Sequence, residues 1–215
     1  MNVEYQFPCP IYLVEKPEFL ESVSTVSEEF LKENRRPQDA DDLYPRDYLE
    51  NVLKLAQFEP WDFAFCEHHI FDGKKIFPLV DCERTKESPI FIQITSAVTR
   101  SRQCWIGNLT STLSVSGTVF RKIFPYPYMK NETLFADDIL IFASSILGFS
   151  KLYLPSIAIN WRSHEDNNSK KHYSDVQILS RKQSISRLFN FYCNKYEIDR
   201  YPSFAEISAE LHLIN

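Results

Sequence analysis

The stretch from Asn131 to Gly148 constrains this chain more than any other segment. Phe135, Ile139, Leu140, Ile141, Phe142, Ile146 and Leu147 cover most of the circumference of a helix that Asn131 would N-cap and Gly148 would end. A helix apolar on nearly every side must be buried, so the rest of the chain has to supply a sheet and further helices to enclose it. The sheet is visible upstream. Residues 61–71 and 74–81 flank Asp72-Gly73, a pair suited to a two-residue type I′ turn, which predicts a β-hairpin. Alternation over 90–94 predicts another strand, and 109–115 with 118–123 predicts a second hairpin around Ser116-Gly117. Residues 11–14 and 152–159 complete the strands.

Amphipathic helices flank this centre. Pro17 opens one carrying Phe19, Val23 and Phe30, and Pro45 another carrying Tyr48, Leu49, Val52 and Leu53. Residues 180–196 form a third, 160–172 read as a polar loop, and the capping box Ser203 to Glu206 starts a last short helix. The expected fold is therefore α+β: a mainly antiparallel sheet with a buried central helix and flanking amphipathic helices, in a single globular domain over 1–215. A chain of 215 residues buries roughly 70% of its unfolded surface and needs neither metal nor disulfide to fold.

Several function classes are disfavoured by composition. The longest apolar run, at 139–143, is far short of the roughly 18 residues needed to span a bilayer, so no membrane association is expected. No basic, apolar leader opens the chain, and five cysteines in unpaired spacing suit reduced thiols; both predict a cytoplasmic protein. A net charge of -5 makes nucleic acid a poorer partner than protein. Charge is uneven, acidic at Glu28, Glu29, Glu33, Asp39, Asp41, Asp42 and Asp47 and basic from Arg162 to Arg200. Four dispersed glycines form no phosphate-cradling loop.

Four residue sets carry chemistry. Cys66-Glu67-His68-His69 resembles the tetrapeptide of GTP cyclohydrolase I, and that resemblance implies Cys66 and His69 as zinc ligands with His68 as a proton shuttle. The likeness is confined to these four residues, with Cys104 and Cys193 as alternatives for a third ligand. In a strand Cys66 and His69 would face opposite ways, so the pair requires a bulge. Phe135-Ala136-Asp137-Asp138 resembles the metal-binding hairpin of reverse transcriptases, although a helix dipole accounts for the same two aspartates. His164 and Asp166 have the spacing of the iron- and 2-oxoglutarate-dependent dioxygenases, with His212 as the distal histidine that resemblance would require. Asp62, Asp72 and Lys74, or Asp81, Glu83 and Lys86, would suit a metal-dependent nuclease.

Each set is partial, and the sequence reads best as a non-enzymatic binding protein, accessory, inhibitor or immunity-like, that docks on another protein. Its expected anchors are Trp105, Tyr126, Tyr128, Trp161 and Arg162, residue types favoured at interfaces. No cofactor is expected on that reading; zinc or iron would accompany the alternative of a metal-dependent enzyme.

Overall fold

The computed structural model describes residues 12–14, 42–45, 48, 50–52, 54, 61–72, 76–77, 88–92, 95–129, 133–165 and 172–212. Its strands are β1 (Tyr12–Val14), β2 (Phe63–Phe71), β3 (Ile76–Phe77), β4 (Ile90–Ile92), β5 (Leu113–Ser116) and β6 (Lys151–Arg162). Its helices are α1 (Ser96–Arg102), α2 (Gly117–Ile123), α3 (Ala136–Ile146), α4 (Asp175–Lys195) and α5 (Phe204–His212). Residues 48, 50–52 and 54 are also helical.

The fold is α+β, and its sheet is mixed. Strand order is β1-β5-β2-β6-β4, with β3 following β5 along the same edge of β2. The expectation of a mainly antiparallel sheet is corrected by the longest pairing, β2 with β6, which is parallel, as is β1 with β5. Parallel pairing needs a long crossover, and the chain between β2 and β6 supplies it. Such strands are covered on both faces, and Phe63, Ala64, Phe65 and Cys66 are all buried in succession.

Two cores follow from that arrangement. Phe63, Phe65, Leu113 and Val115 meet Ile139 and Phe142 of α3 and Leu188, Phe189 and Tyr192 of α4 on one side. Tyr48, Val52, Trp61, Ala64, Cys66, Leu152, Leu154 and Ile159 form the other. Helix α3 buries ten of its eleven residues and packs against α1, α2 and α4. It begins at Ala136 after the N-cap Phe135, so Asn131, which lies outside the described residues, is not its cap. Gly148 follows the helix at φ +70, a conformation that suits glycine.

Other boundaries moved for local reasons. Residues 118–123 belong to helix α2, not a strand, because Ser116 accepts from the Val119 amide at 3.3 Å and caps a turn that β-branched residues had disguised. Helix α4 starts at Asp175, where Ser174 and Gln177 form a capping box. Strand β3 pairs antiparallel to β2, but the register leaves residues 72–75 between Phe71 and Ile76, longer than a two-residue turn; 73–75 lie outside the described residues. Strand β6 extends to Arg162, absorbing residues read as loop. Its register jumps from Leu154 opposite Cys66 to Ala158 opposite Glu67, leaving Pro155, Ser156 and Ile157 unpaired with β2, and a proline without an amide proton belongs at such a bulge. The predicted helix opened by Pro17 lies outside the described residues.

Candidate functional site

The bulge lies in β6, so β2 keeps its alternation and Cys66 and His69 stay on opposite faces. The Cys66 thiol sits among the core residues beside Tyr48, and burial pushes it up to about 12. A thiol held neutral in this way is a poor zinc ligand. Cys193 belongs to the core on the far side of the sheet and Cys104 is partly exposed, so neither closes the set with Cys66 and His69. Among the described residues no three His, Cys, Asp or Glu side chains converge as metal ligands.

His68 has a defined environment. Its ring meets Trp161 edge-on at 6.1 Å. The Asn108 amide nitrogen donates to the Cys66 carbonyl at 2.9 Å and lies 3.4 Å from His68 Nδ1, while Asn108 Oδ1 accepts from the Leu109 amide. That orientation makes His68 Nδ1 an acceptor and places the proton of the neutral ring on Nε2. Burial holds His68 below the usual histidine range. Nearby, Asp42 accepts from the Ser111 hydroxyl and from the Arg162 amide, and on the opposite face the Tyr153 hydroxyl donates to Glu67. The buried Nδ1 of His69 has no hydrogen-bond partner among the described residues.

The remaining sets do not assemble. His164 follows β6, Asp166 lies outside the described residues, and so does the side chain of His212. Asp62 accepts from the Ser150 amide and hydroxyl at 3.2 and 2.9 Å, a structural role; Lys74, Asp81, Glu83 and Lys86 lie outside the described residues. Asp137 and Asp138 occupy the first turn of α3, not a strand-turn-strand. Asp138 is buried against Arg181 at 2.6 Å, and burial together with Asp138 raises Asp137 to about 6.

The predicted anchors separate. Tyr126 is 1% exposed and stacks on Tyr192, which removes it from any surface, whereas Trp105 and Tyr128 are each 40% exposed. Trp161 is partly buried beside His68, and Arg162 is exposed. In Pro125-Tyr126-Pro127-Tyr128 the two tyrosine rings meet edge-on at 5.7 Å, with Tyr126 turned inward and Tyr128 reaching solvent. Tyr128 does so in company the sequence reading missed. The Arg187 guanidinium lies 5.7 Å from its ring centroid, and Phe191 meets it edge-on at 6.0 Å. Lys195 Nζ lies 5.7 Å from Phe191 and 5.1 Å from Tyr196. The Tyr196 hydroxyl donates to the Lys122 carbonyl at 2.7 Å, and Lys122 Nζ covers Phe149 at 5.3 Å.

The result is a continuous strip in which cations alternate with aromatic rings. Its signal in the sequence is the four-residue spacing of Arg187, Phe191 and Lys195, which puts all three on one helix face. Among the described residues neither Lys122 nor Lys195 has a carboxylate partner. No helix among these residues is long and apolar enough to cross a membrane. Compared with known protein families and with curated protein sequences, the chain matches none.

The difference between the thiols is directly measurable. Native protein treated with iodoacetamide should be alkylated at Cys104 well before Cys66 and Cys193, which should react only on unfolding. Mass mapping of the labelled peptides checks this; rapid native labelling of Cys66 would contradict its burial and restore it as a thiolate.

Proposed function

We propose that the protein is a non-enzymatic binding protein, accessory, inhibitor or immunity-like, which docks on another protein through the strip centred on Tyr128 and Phe191. The observation that carries this reading is the strip's composition and exposure. Tyrosine, phenylalanine and arginine supply much of the binding energy at protein interfaces, and here they stand preassembled against one another at the surface. Preassembly lowers the ordering cost of docking, because the ring edges and cations already hold one another in place. The metal-enzyme alternative needs Cys66 and His69 on one face, or a third ligand beside them, and gains no support from the geometry around β2.

The test uses the whole chain as bait against extract from its own source cells, in wild-type form and as Tyr128→Ala/Phe191→Ala. A partner retained stoichiometrically by wild type should bind the double variant with an affinity lower by about 2 kcal/mol or more, a loss of roughly thirtyfold. Circular dichroism and thermal unfolding establish that the variant is folded. Equal retention by both proteins would remove the strip from the interface.

A further inference from the structure

We infer that the strip takes an acidic segment of its partner, with a carboxylate, an apolar side chain and a second carboxylate laid along α4 against Arg187, Phe191 and Lys195. This rests on the docking reading and adds the chemistry of what docks. Charge complementarity is the first support. The chain as a whole is acidic at -5, yet this strip presents Arg187, Lys195 and Lys122 together, and the two lysines lack carboxylate neighbours among the described residues. An acidic partner meets net repulsion from a chain of charge -5 and local attraction at this strip, which favours one orientation of approach.

The rings supply the second support, because they distinguish protein from nucleic acid. A stacked base needs an open aromatic face. In this strip Arg187 covers Tyr128, Lys195 lies over Phe191 and Tyr196, and Lys122 covers Phe149. Those faces are committed to cations, and the ammonium groups of Lys122 and Lys195 are suited to carboxylate oxygens. Spacing is the third support. Arg187, Phe191 and Lys195 recur every four residues, about 6 Å per step along the helix, and the same step separates residues i, i+4 and i+8 on a partner helix. Helix-in-groove recognition uses anchors at this spacing.

The experiment measures fluorescence anisotropy of dye-labelled helical peptides with the full chain at low and physiological salt. One peptide carries Glu, Leu and Glu at i, i+4 and i+8; a second replaces both glutamates by glutamine, a third by lysine, and an oligothymidylate serves as the nucleic-acid probe. The acidic peptide should bind, the glutamine peptide at least about tenfold more weakly, and salt should weaken only the former. Arg187→Glu/Lys195→Glu should lose the acidic peptide and gain the lysine peptide. Arg187 and Lys195 are exposed, so the fold should tolerate the change, and the single Lys195→Gln variant provides a milder check. Equal binding of the glutamine peptide, lost in Phe191→Ala, would overturn the acidic inference and leave the docking surface standing. Binding of oligothymidylate alone would overturn both. Absence of binding to every probe would overturn the inference, while the paired capture of wild type and the Tyr128→Ala/Phe191→Ala variant decides the docking reading separately.

Discussion

Replacing Lys151 by alanine is expected to destabilise the fold by about 3–5 kcal/mol. Lys151 is fully buried at the start of β6, opposite Phe63 of β2. Its Nζ lies 4.5 Å from the Phe63 ring centroid and donates to the Ile106 carbonyl at 2.6 Å and the Ile141 carbonyl at 3.0 Å. The Ile141 oxygen already accepts from Ser144 and Ser145. Alanine would leave a cavity the length of the lysine stem and orphan the Ile106 carbonyl. Methionine fills most of that space and should cost only about 1–2 kcal/mol, for the lost hydrogen bond.

The same residue predicts a pH dependence. Burial holds Lys151 well below its usual 10.5. Between the folded and unfolded values the unfolded chain binds the extra proton, so stability should rise with pH, by at most about 1.4 kcal/mol per pH unit. The clean window runs from about pH 7 to about pH 9. Below it Asp137, raised to about 6, contributes the opposite slope, since the folded state then holds the proton, and above it the raised Cys66 does the same. Urea unfolding across this window tests the sign: a rising midpoint in wild type that flattens in Lys151→Met is expected, and an unchanged slope in the variant would assign the dependence elsewhere.

Glu210→Ala should cost about 2–4 kcal/mol, with its effect concentrated in α5. The Glu210 carboxylate is buried and accepts from the Ala97 and Val98 amides at 2.6 and 2.9 Å, closing the start of α1 where Thr95 makes no side-chain cap. Arg100 of α1 answers from the other side, donating to Glu206 and to the Asp199 carbonyl, while Arg200 donates to the Arg100 carbonyl. Helix α5 is therefore fastened by polar groups, and its Phe204 and Leu211 remain exposed. Hydrogen exchange should show residues 204–212 losing protection in Glu210→Ala with α3 little changed. Uniform loss across α3 and α5 would mean the two unfold together.

Much of the layout was legible because it follows from periodicity. The apolar circumference of α3 demanded enclosure, and the capping box at Ser203 is a local signal that needs no tertiary context, whereas the equally local box at Ser174 was missed by the reading that starts this helix at 180. Strand direction was not legible, since a buried apolar run carries no mark of which neighbour it will pair with or in what sense. Glu210 capping a helix more than a hundred residues away has no sequence signature at all. The candidate surface was half visible. Tyr128 announced itself by composition, but Lys122 was hidden in a segment read as strand, and Phe191 and Arg187 become part of a surface only when α4 lies beside the turn carrying Tyr128.

The bulge at Pro155–Ile157 inverts the phase of β6. Leu152 and Leu154 point into the core on even numbers, Ile157 and Ile159 on odd ones, and Trp161 reaches His68 only because an odd count of residues intervenes. Removing one of the three and running the strand straight through would put Leu152, Leu154, Ile157, Ile159 and Trp161 on one unbroken alternation with Trp161 still on the His68 face, whereas removing two would carry Trp161 through the sheet to the face of Glu67 and Tyr153, so an indel here has a parity. Once the bulge is straightened, losses of one or three residues keep every later side chain on its native side, and a loss of two exchanges the two sides wholesale.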